Sequence, residues 1–295
     1  MQKILLSLIF IVCCYSSLAE TIHNEQTLPI SSENDDWVER LVAWADEFQI
    51  PEKDFPRNHK ALLKLEELNL IRTTPLPAIF GNKKEKGLPR ITYLPPEIGE
   101  LQQLRELYLS GNKLTALPPE IIKLQKLKML DLSSNQFTNI PAEIYQLSSL
   151  EALFLGGNSI AEIPSDIQQL EKLRTFYIEY NGITSLPIEI RKLKQLQDFN
   201  IAGNFLSKIP KEIGQLQQLS IINLSENQLT SLPAEIGQLQ KLRTVWLQDN
   251  SLINLPTTIT ELKSLKWLDI SRNQKIKLTA KQKVFLKDVI HNSTR

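Results

Sequence analysis

The 295-residue sequence predicts an α/β solenoid in which short units pair their strands into one parallel, concave sheet, with a helical cap at each end. Three observations lead there. A 23-residue unit, Leu-x-x-Leu-x-Leu-x-x-Asn-x-Leu-x-x-Leu-Pro-x-Glu-Ile-x-x-Leu-x-x, recurs with first leucines Leu104, Leu127, Leu150, Leu173, Leu196, Leu219, Leu242 and Leu265. Its ninth position is Asn in every unit from Asn112 to Asn273, and its fifteenth is Pro from Pro118 to Pro256. Finally, one unit is too small to enclose its own apolar residues, so each requires a neighbour on either side.

The elements follow in chain order. Lys3, an apolar run from Ile4 to Val12 and the small-residue site Ser17-Leu18-Ala19 before Glu20 read as a secretory signal over residues 1–19. The run is shorter than the roughly 20 residues of a membrane helix, so no membrane span is expected. Cleavage after Ala19 would remove Cys13 and Cys14, the sequence's two cysteines, and with them disulfides and thiol chemistry. A lipoprotein, lipidated at Cys13 or Cys14, is the alternative; the bulky Val12 favours ordinary cleavage. The expected location is secreted, periplasmic or cell-surface. Losing Lys3 balances 34 bases against 33 acids, so no whole-molecule field draws in nucleic acid or an anionic membrane.

Residues 20–34 are polar and read as a flexible leader. Residues 35–64 form the first cap: Asp35 and Asp36 suit a helix start, and Trp37, Leu41, Trp44, Ala45 and Phe48 share one helical face as core. Residues 65–103 are an irregular first repeat, because 39 residues separate Leu65 from Leu104 where one unit takes 23. Its ninth position is Thr73, and Gly81-Asn82-Lys83-Lys84-Glu85-Lys86-Gly87 has loop composition, either a solvated loop or a second contact point. Regular repeats occupy 104–278. The second cap and tail occupy 279–295: Thr279 with Gln282 fits a capping box, with Val284, Phe285 and Val289 as the packing side.

Within a unit, apolar positions 1, 4 and 6 bracket a strand, and positions 11, 14, 18 and 21 point inward from the return path. The recurring Asn sits where the chain leaves the strand, where its amide can pair backbone groups that the bend would orphan. Leu-Pro followed by Glu-Ile predicts an extended or single-turn segment, since about nine residues are too few for a full helix.

The repeat resembles that of bacterial leucine-rich-repeat proteins of the 23-residue type, as in the secreted repeat proteins of spirochaetes such as Leptospira, over residues 65–278. Trp44-Ala45-Asp46-Glu47 and Phe55-Pro56-Arg57 leading into Leu65, Leu68 and Leu70 resemble the N-terminal region of such proteins. The resemblance implies a right-handed, horseshoe-shaped solenoid, recognition of protein or glycan, and host contact.

Catalysis finds no support in the residues. His23, His59 and His291 have no second ligand at metal-site spacing, so no metal, cofactor or triad is expected. Glu120, Glu143, Asp166, Glu189, Glu212 and Glu235 hold one repeat position on the outer side, which makes them turn-start residues rather than a converging acid/base pair. Gly156-Gly157 lies at the end of a strand and opens no phosphate loop.

Positions 2, 3, 5, 7 and 8 are the ones the repeat leaves free, facing out of the concave sheet. They present Tyr108, Met129, Phe154, Tyr177, Tyr180, Trp246 and Trp267, with Arg174 and Arg243 beside two aromatic patches; Ile221 lies there as well. Stacking between neighbouring rows, worth up to about 1.5 kcal/mol per pair, would account for Phe154 beside Tyr177. The additional tryptophans and arginines favour a contact surface. Six bases (Arg105, Lys128, Arg174, Arg243, Lys266, Arg272) face eight acids (Glu106, Asp131, Glu151, Glu179, Asp198, Glu226, Asp249, Asp269), the wrong sign for phosphates. The expected partner is a protein first and a carbohydrate second, with no nucleic acid; oligomeric state is left open.

Overall fold

The computed structural model describes residues 36–72 and 88–292. The signal, leader and Cys13/Cys14 readings, together with Asp35, Thr73 and the loop at 81–87, lie outside the described residues. Helix α1 (Asp36–Glu47) begins the first cap. Leu41, Trp44 and Ala45 are buried on one face, Phe48 is buried just past its end, and Trp37 is half-buried against the same core. The Trp44 ring lies 6.0 Å from both Phe48 and Phe55, and its indole N–H donates to the Tyr93 carbonyl at 3.0 Å. The cap is thereby fixed to the return path of the first unit. A short helix α2 (His59–Leu62) follows, capped by Asn58, whose side chain accepts from the Ala61 N–H.

Among the described residues, ten three-residue strands then pair in parallel and in chain order: β1 (Glu67–Asn69), β2 (Glu106–Tyr108), β3 (Met129–Asp131), β4 (Ala152–Phe154), β5 (Thr175–Tyr177), β6 (Asp198–Asn200), β7 (Ile221–Asn223), β8 (Thr244–Trp246), β9 (Trp267–Asp269) and β10 (Ile290–Asn292). The register keeps equivalent positions opposite each other, as in Leu107↔Leu130 and Leu130↔Leu153. Alternate residues therefore divide cleanly: Leu107, Leu130, Leu153, Phe176, Phe199, Ile222, Val245 and Leu268 are fully buried. Between strands, each unit up to β9 returns through a five-residue 3-10 turn, from Pro96–Glu100 to Thr257–Glu261, as the nine-residue spacing predicts. A Pro precedes each turn, in extended conformation at all but Pro141, and the turn's Ile points into the core.

The Asn ladder joins one unit to the unit before it. Asn204 Nδ2 donates to the carbonyl of Ile201 in its own unit at 3.2 Å and to that of Ile178 in the preceding unit at 3.0 Å. Its Oδ1 accepts from the Ile183 N–H, also in the preceding unit, at 3.0 Å. All eight asparagines repeat this pattern. Asn112 does so across the insertion, binding Leu70 at the end of β1 and Ile91 at the start of the return path. The extra residues of the first unit thus leave its strand and its return path in their regular places.

The C-terminal cap departs from expectation in two ways. The Thr279–Gln282 capping box forms at the head of helix α3 (Ala280–Phe285), but Val284 is 64% exposed. Gln282 and Leu286, one helical turn apart, face inward instead, with Phe285 half-buried and Val289 buried. Gln282 stands 23 residues after Ile259, at position 18 of the repeat, and donates to the carbonyls of Leu255 and Pro256 at 2.9 and 3.1 Å. Secondly, the cap is not purely helical: β10 pairs Ile290 with Trp267, 23 residues earlier. The repeat phase runs on through the cap.

Asn204→Leu is expected to lower the unfolding free energy by about 1–3 kcal/mol, because the Ile183 N–H would be left buried and unpaired and the Ile178 and Ile201 carbonyls would keep only the amides of Asn181 and Asn227. An unchanged urea midpoint would show that the ladder is dispensable.

Candidate functional site

The nine residues expected to meet a partner all map to the solvent-facing side of the sheet or its immediate edges, and none is fully buried. Tyr108, Phe154, Tyr177 and Trp246 take the fifth position on β2, β4, β5 and β8; Met129 and Trp267 take the third position on β3 and β9. All six are half-buried, as residues flanked by neighbouring strands must be. Tyr180, just beyond β5, is 56% exposed. Phe154 and Tyr177 face each other across β4 and β5 with ring centroids 5.2 Å apart, edge to face. Trp246 and Trp267 occupy diagonal positions, opposite Asp269 and Thr244 respectively, and the Trp267 indole N–H is buried without an acceptor. Arg174 pairs with Glu151, at 3.4 Å, while Arg243 makes no ion pair among the described residues.

The tyrosine hydroxyls are held by acids on the same face. Tyr108 donates to Glu106 at 2.6 Å, Tyr177 to Asp198 at 2.8 Å and Tyr180 to Glu226 at 3.3 Å. Burial, and then the charge of the acids they bind, pushes the Tyr177 and Tyr180 phenols up from their ordinary range. Desolvation likewise raises the carboxyls of Asp131, Glu179 and Asp198, opposed at Asp131 by hydrogen bonds from Ser133 and at Asp198 by the Tyr177 hydroxyl. At Glu179 a hydrogen bond from its own backbone N–H opposes the effect, and the nearby charge of Asp131 adds to it.

Two glycines make room for these side chains. A Cβ on Gly156 would stand 2.5 Å from Glu179 Oε1, and a Cβ on Gly203 would collide with the Tyr180 ring. Glu179 therefore leans over the preceding unit and Tyr180 over the following one. Residue-by-residue reading of the sequence placed the aromatics but not the role of Glu179, Gly156 or Gly203. The available signal was the eighth position, Gly111, Ser134, Gly157, Tyr180, Gly203, Glu226, Asp249 and Arg272, where the backbone takes positive φ in every unit. Among the described residues no group of His, Cys, Asp or Glu is arranged to hold a metal, and no helix is long and apolar enough to cross a membrane.

The family profile described as Leucine rich repeat matches residues 102–160, 171–229, 194–252 and 217–274, more than half of the chain. Among solved structures, a leucine-rich-repeat protein of Leptospira interrogans is 39% identical over 69% of this chain and 52% of its own, with TM-score 0.65. The plant peptide hormone receptor RGFR1, solved in complex with RGF2, is 31% identical over 68% of this chain and 34% of its own, with TM-score 0.60. The functional domain of InlJ from Listeria monocytogenes shares the fold at 24% identity and TM-score 0.51, over 64% of this chain and 43% of its own. The chain thus spans about half the length of the Leptospira protein and a third of the plant receptor. Comparison with curated proteins gives no match.

Glu179→Gln is expected to raise the melting temperature at pH 7. A carboxyl whose folded value lies above its unfolded value takes up protons on folding, so its stabilising contribution is complete below the unfolded value and lost as pH rises through the folded one. The variant should therefore show a smaller loss of stability than the parent between mildly acidic and neutral pH in paired thermal melts. A lower melting temperature at pH 7 would mean that the charged form is the stabilised one.

Proposed function

Because the chain belongs to the leucine-rich-repeat family, we propose that it is an exported binding protein that recognises another protein, on a host or cell surface, through the outward side of its parallel sheet. The observation that carries this reading is the set of large aromatics at positions where the repeat needs no apolar side chain. Phe154, Tyr177, Tyr180, Trp246 and Trp267 all keep solvent-accessible surface while the core closes without them. Leaving such rings in water is unfavourable unless a partner covers them, and tryptophan, tyrosine and arginine are the residues that dominate the energetics of protein contacts. Tyr108, Met129, Arg174 and Arg243 extend the same surface.

Export rests on residues 1–19, read as a signal removed after Ala19, with residues 20–34 as a leader ahead of the cap. A protein ligand is supported by the similar plant peptide hormone receptor solved in complex with RGF2. Mixed charge argues against nucleic acid, since Lys128 and Arg174 are both engaged by Glu151 and Arg272 by Asp249. The reading is of binding without catalysis and without a cofactor.

Replacing Trp246 and Trp267 together by Ala should weaken partner binding about thirty-fold or more while leaving folding nearly intact, because truncating a buried interface tryptophan costs about 2 kcal/mol or more. Trp44→Ala is the contrasting control: its ring is in the cap core, and the loss should be about 3–5 kcal/mol of stability. Phe205→Ala, at a 53% exposed position off the strand face, should change neither property. The measurement is a pull-down against extracellular proteins with a parallel glycan array. Retained binding of every partner by the double variant would move the contact elsewhere, and a response confined to the glycan array would replace the protein partner with a carbohydrate.

A further inference from the structure

Charge on the outward side of the sheet is divided between ion pairs and carboxylates left without a cation. Lys128 and Arg174 both reach Glu151, at 3.0 and 3.4 Å, Arg105 reaches Glu66 at 3.1 Å, and Arg272 reaches Asp249 at 3.1 Å. Asp131, Glu179, Asp198 and Glu226 make no ion pair among the described residues. These four lie on β3 and β6 or just beyond β5 and β7, in the middle of the sheet, and Phe154, Tyr177 and Tyr180 lie among them. A net charge near zero for the whole chain thus hides a central patch that is locally anionic.

Glu179 is the least satisfied member of the patch. Its carboxylate lies over the backbone of Gly156, close enough that a Cβ there would meet Oε1 at 2.5 Å, and its Oε2 is buried with no hydrogen-bond partner. Tyr177 already donates to Asp198 and Tyr180 to Glu226, so neither hydroxyl is turned to Glu179. A carboxylate with one oxygen buried and unpartnered, no counter-ion among the described residues and only its own backbone N–H as a donor is poorly satisfied, and an incoming cation relieves it. The rings supply the other half of a cation site, since their electron-rich faces attract ammonium and, better, planar guanidinium groups. A sugar could stack on the same rings but would bring no charge to the carboxylates. The patch is therefore complementary in both charge and shape to a basic protein side chain.

We propose that this central patch receives an arginine side chain presented by the protein partner, with Glu179 taking the guanidinium and Tyr177 and Tyr180 flanking it. This rests on the outward side of the sheet being the binding face, and adds to it the chemistry that the partner must present.

Tyr180 allows folding and binding to be separated. Its backbone has φ of 52°, a left-handed conformation, and the same position is Gly157 and Gly203 in the units on either side. Glycine adopts that conformation without the steric cost a side chain meets. Tyr180→Gly should therefore melt at or above the parent temperature while losing the exposed ring. Glu179→Gln is the second variant, removing the charge with no change of backbone.

The experiment is a titration of the purified protein with capped peptides of alternating glycine and arginine, and with counterparts carrying glutamate in place of arginine, followed by calorimetry and by amide shifts along β4 and β5. Saturable binding of the arginine peptide alone, weakened about tenfold or more by each variant and unaffected by Phe205→Ala, is the expected result. Equal binding of both peptides, binding of neither, or binding that survives both variants overturns the proposal. So does a glycan or a second copy of the chain that occupies the patch in place of the arginine peptide. Failure here leaves the tryptophan variants of the preceding section untouched, so loss of partner binding in those variants beside an inert arginine peptide sinks the cation site alone.

Discussion

Each unit of this chain is about half a core: a strand and a return path whose leucines and isoleucines are covered only when another unit stacks against them. Apolar contact alone sets no register, because leucine against leucine tolerates sliding. The asparagine at position nine supplies the missing directionality. By donating to one carbonyl in its own unit and one in the unit before, and accepting from an N–H in that earlier unit, it fixes three backbone groups at the bend where the chain leaves the strand. Strand pairing, burial of alternate residues and the outward direction of positions three and five all follow from that fixed stacking. Asn112 shows the strength of the constraint, since it holds Leu70 and Ile91 of one unit together although the intervening segment is longer than in any other unit.

The periodicity of the sequence made most of this fold legible, because a solenoid turns sequence spacing directly into spatial adjacency. Residues 23 apart stand opposite each other, as in Tyr108↔Asp131 and Phe154↔Tyr177, and a pattern of Leu, Asn and Pro is enough to place them. Legibility ended where the marker residues stopped. The last unit has Thr279 in place of Pro and Gln282 in place of Ile, so the cap reads as a separate amphipathic helix with Val284 inside. In the structure the 23-residue phase continues through it: Gln282 does with its amide, by binding the Leu255 and Pro256 carbonyls, what isoleucine does elsewhere with its side-chain volume. A polar residue at a buried repeat position hides from a hydrophobic pattern while serving the same packing.

On the binding face the division was similar. Which residues point outward followed from alternation, and the aromatics were found on that basis. How their charged neighbours pair was not followed, although the information was present at the repeat spacing: Lys128, Glu151 and Arg174 are successive second positions and form one linked set. Counting bases against acids over the whole face averages this set with Asp131, Glu179, Asp198 and Glu226, which have no such neighbours. Nor does a count of charges reveal that Gly156 and Gly203 open the space into which Glu179 and Tyr180 lean, since that depends on contacts one unit away in each direction.

The architecture also explains how such a surface can persist without unfolding the chain. In a stack whose stability is close to a sum over units and their interfaces, a local penalty is borne by the units it touches and diluted by the rest. A left-handed tyrosine at position 180 and a desolvated carboxylate at position 179 occur in one unit, next to units with glycine at the equivalent eighth positions, where the same turn forms without strain. The core residues of that unit, Phe176 and Ile178, are fully buried, and Phe176 stacks on Phe199 of the next unit at 5.6 Å. Packing on the inner side therefore holds the strand in place while the outer side carries unfavourable groups. Because inner and outer residues alternate along three-residue strands, the two demands fall on different side chains, and the outer set is free to be chosen for what it meets.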